Sequence, residues 1–524
     1  MTDNKIIRGT LIISVSIMLS RVLGLVREML LASQAGVGTA KNAYDLAFMI
    51  PDLINHLIST GYLSITFIPI FTGYLVKGKE DKAWEFFANV LNSFSLVLIP
   101  LIVLCWIFIE PLLIMMTRTS PDPETLRLAV QYSRIILPAQ FFFFIGSLFT
   151  AIQHIRMRFV FPALNGLVYN VAIITGGWLG RAHGLSGFAW GVLAGAILGS
   201  LVLQLIGGYK AGARYSFKID YFSRDLLHYL KISFPLILGL GAMFALEFIF
   251  RSYGAKFGRE GIARLGYAYR MMYTLVAVFG FSVGAASYPL LTRLAKKNNI
   301  PEINTILLNG IGNAFALLAP IVLILWFCAE PVTRILLERG EFTAEATSNV
   351  AQLLRLYLWS AFALCAQAIL VRCYFAMERM WLPCIINTGG FLCSLPLYEV
   401  LGNLLGIQGI PLAGAIGVAL QVITLFIFWF IKKEKNGLPI FLLDLSKIAG
   451  CSLLLFLLAG RINILISPLF SGSLWQLLVF LTGFSLFIFS AQFTLYSLIR
   501  VSVSKSLLSM LTGRLKKIMP ISKK

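Results

Sequence analysis

The sequence has 524 residues, of which 58% are hydrophobic and only 13% are charged, and its mean hydropathy is +0.84. A soluble domain has roughly 25% charged residues, so this chain has too few charges to cover a water-facing surface of its size. Apolar runs of about 20 residues, each long enough to cross a bilayer core, recur almost from end to end. The composition excludes an ordinary soluble enzyme and predicts an all-α polytopic membrane protein.

The formal net charge is +21, which in a soluble chain would suggest nucleic-acid binding. Here most of the bases lie in short loops between apolar runs, where positive charge sets topology and meets anionic lipid. We therefore expect membrane lipids, and no nucleic acid, among the partners. The seven cysteines lie inside or beside apolar segments without a CxxC motif, which is typical of packing residues.

Apolar runs and loop signals together predict about fourteen transmembrane helices. The sixth and twelfth are each followed by a basic loop, and the last by a basic tail. The helices are expected at residues 10–32, 41–75 (broken at Pro51 and Pro69), 84–116, 126–150, 160–180, 186–208, 226–255, 262–293, 304–337, 349–376, 382–404, 410–431, 439–465 and 473–499.

The distribution of bases predicts the orientation in the membrane. Loops after even-numbered helices carry most of them, which places both termini in the cytoplasm. The clearest exception is the loop with Lys256, Arg259 and Arg264, which falls outside in this scheme. The inner bases are Lys77, Lys79, Lys82, Arg156, Arg158, Lys210, Arg214, Lys218, Lys296, Lys297, Lys432, Lys433, Lys435 and those of the tail from Arg514 to Lys524.

An internal repeat predicts the domain organisation. Asn92-Ser-Phe-Ser-Leu with Pro100, Trp106 and Glu110-Pro111 recurs about 220 residues later as Asn313-Ala-Phe-Ala-Leu with Pro320, Trp326 and Glu330-Pro331, and Arg134 then matches Arg355. Two six-helix lobes, 1–218 and 219–433, are therefore expected, followed by helices 13 and 14 with a basic cytoplasmic tail in 434–524. Because six is even, the repeat is parallel, and the two lobes are expected to surround a central cavity.

Enzyme signatures are sparse in the sequence. It has no Walker A motif, no HExxH and no GxSxG with suitable partners, and its four histidines lack metal-ligand spacing. We therefore expect no catalytic residues, no metal and no cofactor. A coupling ion or the membrane potential stays open as an energy source.

Ionisable residues inside the predicted helices are the informative exceptions. Helix 1 carries Arg21, Arg27 and Glu28, and helix 8 carries Arg270. An arginine at mid-membrane costs about 2.5–3.5 kcal/mol on insertion scales unless it faces water or a partner. With three bases against one acid, these arginines are expected to face the cavity and to attract an anionic group, since the guanidinium fork suits phosphate.

Structural roles are the alternative for these and other intramembrane charges. Arg27 or Arg21 would pair with Glu28, and Arg251 would pair with Glu247 one helical turn away. Asp45 and Glu28 would be either coupling-ion carboxylates or partners of nearby bases. The repeat-equivalent Arg134 and Arg355 would be cavity residues or interface anchors, and Arg372 a contact to lipid headgroups.

A series of motifs begins across helices 1 and 2 and extends over about the first 430 residues. The motifs are Ser20-Arg-Val-Leu-Gly-Leu-Val-Arg-Glu28, Ala43-Tyr44, Ala47-Phe48, Pro51, Gly61, Phe67-Ile-Pro-Ile70, Met157-Arg-Phe159 with Pro162 and Asn170, Tyr267-Ala-Tyr-Arg270, Gly280 to Pro289 and Arg339-Gly-Glu-Phe-Thr343. In this order they resemble the lipid II flippase family MurJ, also called MviN.

The resemblance implies the fold of the multidrug/oligosaccharidyl-lipid/polysaccharide exporter superfamily, with two lobes alternating access around a cationic cavity. It also implies the cargo, an undecaprenyl-pyrophosphate-linked peptidoglycan precursor (lipid II) moved from the cytoplasmic to the periplasmic leaflet. The family's helix 1 arginines fall on Arg21 and Arg27, its neighbouring acid on Glu28, and its helix 8 arginine on Arg270.

Three departures from the family pattern keep alternatives open. A helix 2 aspartate of the family aligns with Asn42, a cavity arginine aligns with Asn55 beside His56, and Tyr269 replaces an acid. Either His56 or Arg251 substitutes for the missing arginine, or the cargo is another anionic lipid-linked oligosaccharide. An organic-cation antiporter is the further alternative, and it would need a net acidic cavity.

Overall fold

The computed structural model describes residues 2–58, 62–238, 242–431, 437–466, 474–499 and 501. Every regular element in these ranges is a helix, which confirms the predicted all-α class. Each of the predicted segments is helical, although several are divided by breaks. Within the described ranges, nine helical stretches are long and apolar enough to cross a membrane, so the larger predicted number of spans stays a prediction.

The α-helices are numbered in chain order. The first eleven are α1 Thr2–Ala35, α2 Thr39–Ala47, α3 Met49–Ile58, α4 Tyr62–Val76, α5 Glu80–Ile107, α6 Ile109–Met116, α7 Pro123–Ile136, α8 Ala139–Ile155, α9 Val160–Leu179, α10 Ser186–Gly195 and α11 Leu203–Lys210. The others are α12 Arg224–Leu238, α13 Ala242–Gly254, α14 Gly261–Val276, α15 Ser282–Lys296, α16 Ile300–Phe327, α17 Ala329–Leu337, α18 Ala344–Ala376, α19 Trp381–Leu405, α20 Gly409–Ile431, α21 Leu438–Ile466 and α22 Leu474–Leu498.

Three predicted segments are interrupted by helix breaks of the same form. The breaks fall at Phe48, Phe108 and Cys328, and a proline stands three residues after each, at Pro51, Pro111 and Pro331. Proline removes a backbone donor and crowds the preceding turn, but it is tolerated in the first turn of a helix. The chain therefore starts a new helix just before each proline. The break predicted at Pro51 lies at Phe48, and the one predicted at Pro69 was wrong because Pro69 lies inside α4.

Two of these breaks carry the same arginine contact in both halves of the repeat. Arg134 Nε donates to the Trp106 carbonyl oxygen at 3.4 Å, and Arg355 Nε donates to the Trp326 carbonyl oxygen at 2.9 Å. A helix end leaves carbonyls without helical donors, and such groups are costly in a membrane. Both arginines therefore serve carbonyls near a helix end, and the predicted equivalence of Arg134 with Arg355 is confirmed.

The chain packs into two compact units. The first comprises residues 1–240, 244–266 and 337–346. In it, α9 packs against both α1 and α10, and α2 packs against α7. The segment 219–266 thus packs largely with the first unit, whereas the predicted lobe boundary at residue 218, drawn from the repeat, stays a prediction.

The second unit comprises residues 241–243, 267–336 and 347–524. Here α16 packs against α21 and α22, and α19 packs against α20. The two helices after the repeat therefore contribute to the core of this unit. Their contact is built from large apolar side chains, namely Leu323, Ile324, Leu455, Phe480, Phe484 and Ile488.

The loop 337–346 is fixed to the C-terminal end of α1 in the first unit. The backbone N–H of Glu341 donates to the Ser33 carbonyl at 3.0 Å. Gly340 has a φ of +57°, and a Cβ there would lie 2.1 Å from the Ser33 carbonyl oxygen. Gly36 is placed similarly, with a φ of +52° and 2.3 Å to the Glu341 carbonyl oxygen. Both positions require glycine because of left-handed backbone and close approach together.

Two π-helical segments interrupt predicted helices 6 and 8, at Ala196–Val202 and Ala277–Phe281. Such bulges are rare and often lie near functional sites. In the second, Arg372 Nη1 donates to the Phe281 carbonyl oxygen at 2.7 Å. Arg372, expected at lipid headgroups, thus binds the carbonyl at the end of this bulge.

Candidate functional site

Arg27 of α1 lies in a polar cluster with its neighbour Glu28. Its Nη2 donates to Glu28 Oε1 at 3.0 Å, and its Nη1 donates to Asn170 Oδ1 at 3.4 Å. The pairing of Arg27 with Glu28, one of the two predicted alternatives, is confirmed. The arginine side chain remains 26% exposed, against 14% for Glu28, so the guanidinium is held without being enclosed.

Asn170 of α9 fixes this arginine relative to the backbone of α1. Its Nδ2 donates to the Ser20 carbonyl at 3.3 Å, to Ser20 Oγ at 3.2 Å and to the Gly166 carbonyl at 2.9 Å. A Cβ at Gly166 would lie 2.7 Å from Ser20 Oγ, which shows how closely the two helices approach. The amide is thus locked with its oxygen toward Arg27, which pre-orients the guanidinium.

Arg251 of α13 is buried between two carboxylates. Its Nη2 lies 2.8 Å from Glu247 Oε1, the predicted partner, and its Nη1 lies 2.7 Å from Asp52 Oδ2 of α3. The Asp52 contact was not predicted, because the two residues are far apart in sequence. The guanidinium also lies over the Phe250 ring at 5.5 Å. This geometry is that of a structural ion triad.

The other predicted residues of the first unit have different surroundings. The His56 ring is buried and stacks on Phe244, with centroids 4.4 Å apart and planes 14° apart. Asn55, its neighbour on α3, is partly exposed, and Arg21 on α1 is exposed.

Helix α2 carries a buried ion pair that was only partly anticipated. Lys41 Nζ lies 2.7 Å from both carboxylate oxygens of Asp45, and both side chains have 0% exposure. The alternative in which Asp45 pairs with a base is therefore confirmed, and the base is Lys41. One residue on, Asn42 Oδ1 accepts from the Ala263 backbone N–H at 2.7 Å. Asn42, which departs from the family's aspartate, thus holds the start of α14.

Arg270 belongs to the second unit. It lies on α14, partly exposed, and its carbonyl accepts from Thr274 Oγ1 at 3.0 Å. The preceding residue, Tyr269, is buried and packs edge-on against Tyr357 at 5.9 Å. The tyrosine that replaces the family's acid therefore contributes to aromatic packing next to Arg270.

The structure thus brings together part of the predicted set. Arg27, Glu28 and the resemblance residue Asn170 form one cluster, and Arg251 joins Asp52, which sequence reasoning missed. The signal for Lys41 was its (i, i+4) spacing to Asp45; nothing local signalled Asp52. Among the described residues, no group of three or more His, Cys, Asp or Glu side chains is placed to hold a metal ion.

Comparison with known protein families gives a match over most of the chain. The family model described as lipid II flippase MurJ matches residues 31–485. A probable lipid II flippase MurJ of Synechocystis is 26% identical over 461 residues, covering 84% of each chain. The lipid II flippase MurJ of Burkholderia cenocepacia is 26% identical over 437 residues, covering 81% of this chain and 83% of the relative.

Solved structures show the same fold. The inward closed conformation of a lipid II flippase MurJ superposes with a TM-score of 0.77 at 23% identity, covering 93% of this chain and 99% of that one. An inward-facing multidrug resistance MATE family transporter of the MOP superfamily gives a TM-score of 0.67 at 17% identity, covering 80% and 97%. With the family model matching well over half of its residues, this chain belongs to the lipid II flippase MurJ family.

Proposed function

We propose that this protein moves lipid II, the undecaprenyl-pyrophosphate-linked peptidoglycan precursor, from the cytoplasmic to the periplasmic leaflet by alternating access. Membership of the MurJ family supports the class of cargo. The observation that carries the chemistry is Arg27, a partly exposed guanidinium held on α1 by Glu28 and Asn170. No covalent step is needed, since only the side of the membrane on which the headgroup lies changes.

Arg27 is suited to bind a pyrophosphate. A guanidinium presents its donors in a planar fork that matches two phosphate oxygens, and the binding is stronger when the fork is pre-oriented. The Asn170 amide supplies this orientation through its bonds to α1. While no cargo is bound, the ion pair with Glu28 offsets the cost of placing the positive charge of Arg27 in the membrane.

The remaining candidates receive different roles in the proposal. Arg21, exposed on the same helix, and Arg270 are assigned to the anionic cargo, in line with the family pattern. Asn55 and His56 are assigned to the headgroup beyond the pyrophosphate. Arg251 is assigned to holding Asp52 and Glu247, because both ends of its fork are already occupied by carboxylates.

The physical division of the cargo supports the mechanism. A diphosphate is very costly in hydrocarbon, whereas a prenyl chain is at home there. Binding of the pyrophosphate by arginine lets the headgroup cross in a wet path while the tail stays in lipid. The membrane potential, at about 2.3 kcal/mol per charge per 100 mV, is available to bias the direction. The inner membrane as location and the cytoplasmic termini belong to the same proposal, and the basic loops support the cytoplasmic termini.

The test compares arginine variants in proteoliposomes that contain fluorescent lipid II, read by its access to a membrane-impermeant quencher. Arg27→Ala and Arg270→Ala should each lower the transfer rate at least about tenfold, because a charge-assisted contact to phosphate is lost. The transfer rate of Arg27→Lys should lie between those of the wild type and Arg27→Ala, since the charge remains but the planar guanidinium is lost. Arg181→Ala, in the exposed turn Arg181–His183, is the matched control.

Parallel assays separate the alternatives. Equal transfer of a different pyrophosphate-linked glycolipid would assign the broader cargo class that Asn42, Asn55 and Tyr269 leave open. Uptake of an organic cation that depends on Glu28, with unchanged lipid II transfer in Arg27→Ala, would replace the proposal with an antiporter.

A further inference from the structure

A groove lies between α6 and α7 in the first unit, away from Arg27 in sequence. Its volume is about 530 Å3, and polar groups line it: Glu110 from α6 and Arg127, Gln131 and Arg134 from α7. The three α7 side chains follow the i, i+4, i+7 spacing of one helix face, and all are exposed. The groove thus presents two guanidinium groups, an amide and a carboxylate to a single space.

Most of these polar groups have no hydrogen-bond or ion-pair partner among the described residues. In the part of the chain that the structure describes, Glu110, Arg127 and Gln131 form no side-chain hydrogen bond or ion pair. Only Arg134 is engaged, through the Trp106 carbonyl and the Trp106 ring at 4.9 Å. Glu110 and the two arginines line the same groove but form no ion pair with one another, which leaves room for a ligand that carries both a negative and a positive charge.

The surroundings of the groove are amphiphilic. Beside it, Trp106 and Ile107 at the end of α5 and Phe108 at the helix break are exposed by 43%, 52% and 54%. Trp106 Nε1 donates to the Arg134 carbonyl at 3.1 Å, so its polar edge faces α7 while the ring remains accessible. Tryptophan with exposed aliphatic neighbours next to arginines is typical of the membrane–water boundary. A ligand here would have an apolar part as well as a charged one.

The repeat offers an internal comparison. The residues of the second unit that correspond to Glu110, Gln131 and Arg134 are Glu330, Gln352 and Arg355, but Arg127 corresponds to Ser348. Gln352 is also engaged, because its Oε1 accepts from Gln408 Nε2 at 3.3 Å. The arrangement with a second arginine and an unengaged amide is therefore particular to the first unit, and the shared helix break does not require it.

We propose that this groove binds the headgroup of a zwitterionic aminophospholipid. Arg127 and Arg134 take the phosphate, Glu110 takes the primary ammonium, and the acyl chains lie along the exposed apolar end of α5. Guanidinium groups match phosphate oxygens, and a carboxylate accepts hydrogen bonds from a primary ammonium. A quaternary ammonium has no N–H to donate, and an anionic headgroup without an amine leaves Glu110 uncompensated. Phosphatidylethanolamine is therefore the preferred ligand over phosphatidylcholine and phosphatidylglycerol.

Native mass spectrometry of the full chain in detergent, titrated with each of these three lipids, tests the proposal. Arg127→Ser, which copies the second unit, should weaken phosphatidylethanolamine binding about tenfold, because one charge-assisted contact is removed. Glu110→Gln should reduce the preference for phosphatidylethanolamine over phosphatidylglycerol by about the same factor. The control is Glu124→Gln. Glu124 is an exposed acid of α7 that does not line the groove, so this variant should bind the three lipids like the wild type.

Results with the variants or with a competing anion would overturn the proposal. One is wild-type lipid affinity in Arg127→Ser, which would show that the groove is empty of lipid. Another is an unchanged lipid preference in Glu110→Gln, or the same change in Glu124→Gln. Inorganic phosphate added as a competitor should leave lipid binding intact, and displacement of the lipid by phosphate alone would assign the groove to a free anion. In the described residues neither Arg127 nor Glu110 has a hydrogen-bond or ion-pair partner to lose, so both variants are expected to fold.

Discussion

Asp52 and Glu247 hold the guanidinium of Arg251 between them, at 2.7 and 2.8 Å. The arginine is almost fully buried, whereas the carboxylates are 31% and 34% exposed. Burying a charge is expensive unless partners offset the loss of water, so the arginine depends on its acids more than they depend on it. The triad joins α3 to α13 through charge, where apolar packing alone gives little selectivity in a membrane.

Arg251→Leu should therefore destabilise the protein strongly, because it leaves two carboxylates close together without their cation. Removing one partner of a buried pair costs about 3–5 kcal/mol, and the lower end applies here because both acids are partly hydrated. The triple variant Arg251→Leu, Asp52→Asn, Glu247→Gln should recover most of this loss, since no charge then remains. The apparent Tm in detergent checks both, and a triple variant as unstable as the single one would contradict the interpretation.

At the scale of the helices, the breaks at Phe48, Phe108 and Cys328 share a common pattern. Each of them lies three residues before a proline, a constant offset, although a proline such as Pro69 also lies inside a helix without a break. Two of them also have an arginine that reaches back from the following long helix to a tryptophan carbonyl. At these two breaks the proline lies in the first turn of the following helix. The arginine donates a hydrogen bond to a carbonyl oxygen near the end of the preceding helix.

The two arginines should differ in their contribution to stability. Arg355 is partly buried with a 2.9 Å bond, whereas Arg134 is exposed with a 3.4 Å bond. A short bond from a charged donor in a less hydrated place contributes about 1.5–3 kcal/mol, and an exposed long one less. Arg355→Met should lower the apparent Tm clearly more than Arg134→Met, measured side by side in the same detergent. Equal shifts would show that burial does not decide the strength of this contact.

At the scale of the whole molecule, the sequence predicted the helical class and the repeat because apolar runs and proline-tryptophan motifs are local signals. It misplaced the breaks because a proline was taken as the break itself. It found Arg27 with Glu28 and Arg251 with Glu247, which are neighbours along a helix. It missed Asp52 as a partner of Arg251, because such a pairing depends on how distant helices meet, which no local pattern encodes.

The basic loop that departs from the predicted topology contains arginines that are paired with carboxylates in the structure. Arg259 Nη2 lies 3.0 Å from Asp122 Oδ1, and Arg264 pairs with Glu260. Lysines and arginines set the side on which a loop lies, and acidic residues contribute little to this preference. The ion pairs therefore do not account for the departure, and the position of this loop outside, on the same side as Asp122, stays a prediction.

Reporter fusions test this topology directly. Alkaline phosphatase, which is active only outside the cytoplasm, should be active when fused after Ser120 or Gly258 and inactive after Gly78 or Gly212. Green fluorescent protein should give the reverse pattern, since the loops at Gly78 and Gly212 are expected to be retained by their lysines and arginines. Asp122→Asn should leave phosphatase activity at Gly258 and at Gly212 unchanged, because acidic residues contribute little to the orientation. Phosphatase activity at Gly212 would invert the proposed orientation, and with it the direction in which the cargo is moved.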